Sequence, residues 1–225
     1  MSTRATILSM VSNILFDLDG TLTDPKEGIT KCIQYALKQL GRPPRSESEL
    51  NNFIGPPIHL RFQELLDSDD NDLVNKTINL YRERYSEVGF LENVIYPGIP
   101  ELLSFLHENS YKLYVVTIKP RIYAEKIVKH FSLSQWLSNV YGPNLDEHIE
   151  NKIDLTKTLL DDSRLVPEKS VVVGDRKEDI IAGRLNGTIT IGVTYGYGSI
   201  DEIADSGSDY ICNSPYEIQQ AILNH

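Results

Sequence analysis

Short runs of apolar residues recur along the chain, and each ends at a polar or small residue. Such runs are typical of buried parallel strands, which are covered on both faces. The strand candidates are 14–16, 112–117, 170–173, 188–193 and 209–212. Stretches with an apolar stripe at helical spacing lie between them and predict helices packed on a sheet. The helix candidates are 100–109, 121–130, 152–161, 177–186 and 215–223.

Strands that alternate with helices predict an α/β fold, in which a doubly wound parallel sheet forms a Rossmann-like core. Sheets of this kind bind their ligands at the carboxyl ends of the strands. Asp17, Thr117 and Asp175 each lie at or just after the end of a predicted strand. We therefore expect these three side chains to lie close together at one edge of the sheet.

Residues 25–94 break the alternation, because their pattern is helical and contains no strand. Asp24 is typical of an N-cap, with Pro25 in the first turn and Glu27 three residues after the cap. This helix is expected to end at Gly41. Further helices are predicted around 46–53, 59–66 and 71–88. The chain is thus expected to contain a catalytic core, residues 1–24 and 95–225, and an all-helical cap domain, residues 25–94.

The composition narrows the possible partners and the compartment. The 32 acidic and 22 basic residues give a net charge of −10, which argues against a nucleic-acid polymer or an anionic membrane as the partner. Cys32 and Cys212 are too few for a disulfide framework. Residues 1–13 do not resemble a signal peptide, and no run reaches the roughly 18 apolar residues of a membrane span. A cytoplasmic location is expected, and no pattern indicates an oligomeric state.

Two carboxylates after the first predicted strand carry the strongest chemical signal. Asp17 and Asp19 are two residues apart at a strand end, so both can face the same way. One carboxylate can attack phosphorus while the other moves a proton. A turn is the alternative for an Asp-x-Asp-Gly segment taken alone, since Asp and Gly are common turn residues.

Four segments in order resemble the motifs of the haloacid dehalogenase superfamily. Residues 16–24, with the apolar strand before them, resemble its first motif, and Thr117 matches the second. Lys152 opens a helix 23 residues before Asp175 and suits the third, although Ile153 follows it where the family usually has proline. Residues 171–179, with Asp175 and Asp179, resemble the acidic motif.

The resemblance implies a magnesium-dependent phosphatase that acts through an aspartyl-phosphate. Asp17 would be the nucleophile, and Asp19 would protonate the leaving oxygen and later deprotonate water. Asp17, Asp175 and the backbone carbonyl of Asp19 would hold Mg²⁺, with Asp179 supporting that ligand shell. Oxygen ligands of this kind suit magnesium. A helix N-cap is the alternative role for Asp175.

The resemblance also suggests what holds the phosphoryl group and the rest of the substrate. Thr117 and Lys152 would bind the transferring group, and Lys119 is a rival for the motif-three lysine or a substrate contact. Arg61 follows the turn Gly55-Pro56-Pro57 at the predicted tip of the cap. It would bind a substrate carboxylate, a second phosphate or a base edge; its alternative is a solvated surface residue.

Within the superfamily, the position of the insertion resembles a C1-type cap, and segments 20–24, 53–57 and 96–98 resemble the phosphoglycolate phosphatase group. The expected substrate is a small phosphorylated metabolite, first a phosphoglycolate-like ester and alternatively a nucleoside monophosphate, as for a 5'-nucleotidase. The glycine-rich loop 195–199 also fits this group, either as a simple turn or as a substrate contact.

Four other functions are possible on a fold of this kind, and the sequence argues against each. A haloacid dehalogenase lacks the second carboxylate, Asp19. A phosphonoacetaldehyde hydrolase needs a cap lysine, and none occurs between Gln39 and Asn75. A β-phosphoglucomutase-like enzyme has a histidine early in its cap, whereas the first histidine here is His59. A non-catalytic binding protein on the same fold would not need the intact set of motif residues.

Overall fold

A computed structural model describes residues 11–51, 53–55, 58–145 and 151–224. Pro56 and Pro57 of the predicted cap turn and most of the segment 1–13 lie outside the described residues. The strands are β1 Asn13–Phe16, β2 Thr23–Asp24, β3 Val94–Ile95, β4 Lys112–Val116, β5 Leu137–Tyr141, β6 Ser170–Gly174, β7 Ile189–Val193 and β8 Tyr210–Cys212.

Six of these strands form a parallel sheet in the order β5-β4-β1-β6-β7-β8. The helices around it are α5 Ile99–Glu108, α6 Arg121–His130, α7 Lys152–Asp162, α8 Lys177–Leu185, α9 Ile200–Asp205 and α10 Pro215–Leu223. Four helices precede them in the chain: α1 Lys26–Gln39, α2 Glu47–Asn51, α3 Ile58–Leu66 and α4 Asn71–Glu87. The predicted α/β fold with a parallel sheet is confirmed.

The central strands are buried on both faces, which is why their sequences are apolar without alternation. Ile14 and Phe16 of β1 belong to one hydrophobic cluster, while Leu15 between them packs in a second cluster on the opposite face. Successive side chains of a strand point to opposite faces, so three consecutive apolar residues serve both clusters. β1 also lies between β4 and β6 and is therefore hydrogen-bonded along both sides.

The prediction missed β2, β3, β5 and α9, and β3 begins at Val94, at the edge of the segment predicted to contain no strand. β5 is an edge strand, and two of its five residues, Ser138 and Asn139, are exposed. It therefore lacks the continuous apolar run of a central strand. α9 has only six residues, of which Ile203 is buried. An element this short carries too few turns for a helical period to be visible in the sequence.

The four helices α1–α4 share a further hydrophobic cluster, which includes Ile33, Phe62 and Ile78 and extends to Tyr123 of α6. The chain enters and leaves this helical region through the two-stranded antiparallel pair of β2 and β3. The N-cap of α1 is Pro25 and not the predicted Asp24, but the Asp24 side chain still accepts a hydrogen bond from the backbone N–H of Lys26 at 2.9 Å and so satisfies a free donor there. Within the described ranges, no helix combines the length and hydropathy that a membrane crossing requires.

Candidate active site

The sheet order brings the three predicted strand-end residues together. Asp17 follows β1, Thr117 follows β4 and Asp175 follows β6, and these strands are direct neighbours. The backbone N–H of Asp17 donates to Val173 O at 2.8 Å, which continues the strand pairing up to the carboxylate. All three residues are buried. The parallel register therefore fixes where their side chains begin.

Asp17, Asp175 and Asp179 form a compact acidic cluster. One carboxylate oxygen from each lies within 4.8 Å of the others, and all three residues are buried. Asp179 also accepts a hydrogen bond from the backbone N–H of Arg176 at 3.0 Å, which fixes its side chain at the start of α8. Asp179, predicted to support the ligand shell, therefore lies within the cluster itself.

The turn after β1 is shaped to approach Asp175 closely. Gly20 has φ +85°, and a Cβ on it would lie 2.2 Å from Asp175 Oδ2. Glycine alone adopts this backbone conformation freely and leaves the space for the carboxylate. Thr21 Oγ1 donates to Asp175 Oδ1 at 3.3 Å. The Gly-Thr pair after the two aspartates thus packs the first turn against the acidic loop.

Lys152 reaches the acidic cluster from the first residue of α7. Its Nζ lies 2.8 Å from Asp17 Oδ1 and also contacts Asp179. Burial alone would lower the pKa of Lys152, but the charges of Asp17 and Asp179 outweigh it and raise the pKa. Lys152 is therefore held as a cation beside Asp17, at the place predicted for the motif-three lysine.

The site has more carboxylates than ammonium groups, and this excess of negative charge favours a divalent cation. Four carboxylates, those of Asp17, Asp19, Asp175 and Asp179, face the ammonium groups of Lys119 and Lys152. Burial raises the pKa of Asp175 and of Asp179, and the negative charge of neighbouring carboxylates raises both further. A buried acidic group in this state gains from an added positive charge. The cluster therefore fits Mg²⁺, which takes oxygen ligands.

Asp19 lies beside the cluster and is paired with a second lysine. Its Oδ2 is 2.7 Å from Lys119 Nζ, whereas its Oδ1 is buried and has no hydrogen-bond partner in the described part of the chain. Burial raises the pKa of Asp19, and the positive charge of Lys119 opposes this rise. A carboxyl group with a raised pKa suits a group that gives and takes protons.

The loop at 195–199 packs directly on the acidic cluster. The backbone N–H of Tyr197 donates to Asp175 Oδ2 at 2.7 Å, and its hydroxyl donates to Asp24 at the start of the helical region. A Cβ on Gly198 would lie 1.9 Å from the Asp175 carbonyl oxygen, so only glycine fits there. The loop therefore positions Asp175, a role that the sequence alone did not separate from a simple turn.

A pocket opens between the strand ends and the helical region. Its core side consists of Asp17, Asp19, Thr117, Ile118, Lys119, Pro120 and Tyr123. The helical side is mostly apolar and aromatic, with Ile29, Ile33, Phe53, Gly55, Ile58, Phe62, Tyr81 and Tyr85 beside Arg61 and Arg82. Arg61, one of the two predicted substrate contacts, thus faces the pocket together with the other, Lys119.

The sequence analysis missed the tyrosines of this pocket. Tyr81 and Tyr85 stack with ring centroids 5.3 Å apart, and Tyr123 packs edge-on against Tyr85 at 5.0 Å. Tyr81 and Tyr85 are four residues apart in α4 and so lie on one face of that helix. That spacing was visible in the sequence, but it predicts only a buried face and not what the face contacts.

The chain matches a family model described as haloacid dehalogenase-like hydrolase over residues 14–193. It is 39% identical to a 5'-nucleotidase of Pseudomonas aeruginosa, over 95% of this chain and 96% of that protein. It is 28% identical to a phosphoglycolate phosphatase of Vibrio parahaemolyticus, over 93% and 95%. A predicted phosphatase from Clostridium acetobutylicum has a similar crystal structure, with a TM-score of 0.90 and 36% identity over 96% of this chain and all of that one.

Proposed function

The chain belongs to the haloacid dehalogenase-like hydrolases and is a phosphatase of that family, and we propose that it hydrolyses nucleoside monophosphates through a phosphorylated Asp17. The pocket carries this proposal, because it joins the paired carboxylates to a wall of aromatic and aliphatic side chains. The same ester class is named for the relative from Pseudomonas aeruginosa. The order of the two expected substrates therefore changes, with the nucleotide first.

The wall of the pocket is matched to the chemistry of a nucleoside. A base presents two flat apolar faces, and aromatic side chains stack on such faces with about 1–3 kcal/mol per base. Phe53 lines the helical side of the pocket, and Tyr123 lines its core side. Glycolate offers a carboxylate and one methylene group, so it would leave the partly exposed Ile29, Phe53 and Ile58 of this wall in contact with water.

We assign the chemical steps to residues of the core. Asp17 attacks phosphorus and displaces the ester oxygen, which leaves as an alcohol after it takes a proton from Asp19. Asp19 then accepts a proton from water as that water attacks the phosphorylated Asp17, and inorganic phosphate is released. Thr117 and Lys152 stabilise the equatorial oxygens of the transferring group. The contact of Lys152 with Asp17 supports this assignment.

We propose Mg²⁺ as the cofactor of these steps. Asp17, Asp175 and the backbone carbonyl of Asp19 would hold the ion, and Asp179 would keep Lys152 and the ligand set in place. When bound, the ion would offset the repulsion between the phosphate and the Asp17 carboxylate. The support lies in the acidic cluster and in the excess of carboxylates over ammonium groups.

We further propose that residues 25–94 act as a cap over the core, residues 1–24 and 95–225. A hydrophobic cluster formed mainly by α1–α4 and a narrow two-stranded connection support a unit that can move relative to the core. Closure of such a cap excludes water during attack, and opening releases products. We propose a cytoplasmic location, in keeping with the free, buried thiols of Cys32 and Cys212.

Arg61 favours phosphoglycolate as the second candidate substrate. Its side chain is 24% exposed, and its Nε is buried with no hydrogen-bond partner among the described residues. The guanidinium group also lies 5.9 Å from the Phe53 ring centroid. The guanidinium group pairs with Glu64 Oε2 at 2.6 Å, and a carboxylate bound in the pocket can take the place of this partner, as glycolate would require. The relative from Vibrio parahaemolyticus is named for this ester.

Phosphate release from a substrate panel tests the proposal. The purified protein with Mg²⁺ is assayed on purine and pyrimidine nucleoside monophosphates, 2-phosphoglycolate, hexose phosphates and p-nitrophenyl phosphate. We expect kcat/KM for at least one nucleoside monophosphate to exceed that for phosphoglycolate by about tenfold or more, since apolar burial of a base adds more than 1.4 kcal/mol. The Asp17→Asn protein, prepared in the same way, controls for contaminating phosphatases. Preference for phosphoglycolate would overturn the proposal.

A further inference from the structure

Lys119 joins the sheet to the helical region beside Asp19. Its Nζ lies 2.7 Å from Asp19 Oδ2 and donates a hydrogen bond to the Tyr85 hydroxyl at 2.6 Å. Lys119 follows β4 and Asp19 follows β1, whereas Tyr85 lies in the last turns of α4. The Lys119 side chain is 7% exposed, so solvent screens these contacts weakly. A buried ammonium group therefore bridges the two parts of the molecule.

The position of the Tyr85 hydroxyl depends on how α4 packs against the core. The Tyr85 ring stacks on Tyr81 with an interplanar angle of 14° and packs edge-on against Tyr123 of α6. Tyr85 and Tyr123 are both buried. Packed rings of this kind leave little freedom for rotation, so the hydroxyl points to one place.

The two oxygens of Asp19 have different surroundings. Oδ2 is held by Lys119, and Oδ1 is buried with no hydrogen-bond partner among the residues that the structure describes. A buried acceptor without a partner is costly to the folded protein. Because Oδ1 has no partner among these residues, this oxygen of Asp19 is available to exchange a proton with the ester oxygen or with water.

We propose that Lys119 and Tyr85 are positioning residues that orient Asp19 only while the helical region is seated on the core. A lysine side chain has a long flexible stem, so its ammonium group needs a second anchor to hold a carboxylate in one orientation. Tyr85 is that anchor. When α4 moves away, Lys119 loses it and Asp19 loses its fixed orientation. The contact between Lys119 and Tyr85 would orient Asp19 for any phosphate ester, so this proposal does not depend on which substrate is correct. It does rest on the proposed role of Asp19.

A direct contact of Lys119 with the substrate phosphate is the competing role. In that role, Tyr85 would matter little to the chemistry. Loss of a contact made equally with substrate and transition state raises KM and leaves kcat unchanged. A positioning role acts on the proton-transfer steps and lowers kcat. The two roles therefore differ in which kinetic constant changes.

The substrate p-nitrophenyl phosphate separates the two steps in which Asp19 acts. Nitrophenolate is a good leaving group and needs little help from an acid, so phosphorylation of Asp17 stays fast when Asp19 is misplaced. Hydrolysis of the phosphorylated Asp17 still needs a base. A variant with misplaced Asp19 should therefore release one rapid equivalent of nitrophenol and then turn over slowly.

The experiment compares Tyr85→Phe and Lys119→Met with wild type in stopped-flow and steady-state assays. We expect both variants to show the burst and a kcat lower by about tenfold or more, as for loss of a charge-assisted hydrogen bond. KM for p-nitrophenyl phosphate should fall with kcat, because hydrolysis of the phosphorylated Asp17 becomes rate-limiting. The double variant should lose little beyond Lys119→Met alone. Asp19→Asn is the reference for the burst. Tyr35→Phe is the matched control, because its hydroxyl donates to Glu83 on the outside of the same helical region at 2.7 Å.

Three results would overturn the proposal. The first is a Tyr85→Phe protein whose kcat is within about twofold of that of Tyr35→Phe, which is less than one hydrogen bond contributes. The second is a Lys119→Met protein with a raised KM for every ester and no burst, which would make Lys119 a phosphate contact. The third is an Asp19→Asn protein that lacks the burst while wild type is active, which would remove the role of Asp19 and leave the proposed substrate unaffected. Thermal melting of each variant checks that the fold is retained.

Discussion

The sheet edge and the helical region line one pocket, but their residues are fixed in different ways. Asp17 follows a fully buried strand, and its backbone is hydrogen-bonded to the neighbouring strand. Phe62 and Tyr81 of the helical region line the same pocket as Asp17, and both also belong to the hydrophobic cluster of that region. The sheet therefore sets the position of the reacting groups, whereas helix packing sets the shape presented to the substrate. Changes at the sheet edge should affect every ester, as should a change of Tyr85, which acts through Lys119 on Asp19. Changes of helical-region residues that only line the pocket should distinguish between esters.

The largest effect is expected at Asp17, the proposed nucleophile. Asp17→Asn keeps the size of the side chain but removes the attacking oxygen, so turnover of every ester should fall below about one hundredth of wild type. Phosphate release from a nucleotide and from p-nitrophenyl phosphate measures this. Asp161→Asn, an exposed carboxylate paired with Lys157, is the control and should keep full activity. If Asp17→Asn kept its activity on either ester, the claim that the sheet edge carries the group needed for every ester would be wrong.

The acidic cluster should show the next largest effect, again on all substrates alike. Asp175→Ala removes a predicted ligand of Mg²⁺, and excess magnesium should restore activity poorly because the oxygen itself is missing. In the wild type, a chelator should abolish activity and added magnesium should restore it. Phosphate release over a magnesium titration gives both results. Full activity of the wild type in chelator would contradict a metal-binding role of Asp175 and leave it only the role of a helix N-cap.

A smaller, substrate-dependent effect is expected in the helical region. Arg61→Ala should lower kcat/KM for the preferred ester by about tenfold, because a charge-assisted hydrogen bond contributes roughly 1.5–3 kcal/mol. Turnover of p-nitrophenyl phosphate should barely change. Arg45→Ala, in the same region but outside the pocket and paired with Glu49, is the matched control. Equal losses on both esters, or no loss on either, would return Arg61 to the role of a surface residue.

The smallest effect is a pH dependence of stability that comes from the acidic cluster. An unfolded carboxyl group loses its proton near pH 4, but burial and the charges of Asp179 and Asp17 raise the pKa of folded Asp175. Its contribution to stability is complete below about pH 4 and is lost as the pH rises through the folded value. Metal-free protein should therefore lose a few degrees of Tm towards neutral pH, at roughly 2–4 °C per kcal/mol.

Melting curves in chelator at several pH values test this dependence. Asp175→Asn should flatten the slope, because an amide does not titrate, and Mg²⁺ should restore the wild-type Tm at neutral pH. Asp161→Asn should keep the slope of the wild type, since that carboxylate is exposed. A metal-free protein whose Tm rises towards neutral pH would contradict the raised pKa of Asp175.

The sheet edge was predictable from sequence because its information is local. A buried strand appears in the sequence as an apolar run, and the residues after parallel strands lie at one edge of the sheet. Asp17, Thr117 and Asp175 could therefore be assigned to that edge from the sequence. Lys152 was proposed from the resemblance to the third motif, although proline is missing after it, and α7 does begin at this residue. The pocket tyrosines could not be placed in the same way. Tyr85 meets Tyr123 across 38 residues of sequence, and only the packing of α4 on α6 brings them together.

The phosphorylated residue itself tests the central claim most directly. Asp19→Asn is mixed with p-nitrophenyl phosphate and Mg²⁺, quenched in acid during slow turnover, digested and analysed by mass spectrometry. A phosphoryl group should appear on the peptide that contains Asp17, and hydroxylamine should remove it, as it removes acyl phosphates. The double variant Asp17→Asn with Asp19→Asn should carry none. A phosphoryl group on another residue, or a phosphorylated double variant, would contradict the assignment of Asp17 as the nucleophile.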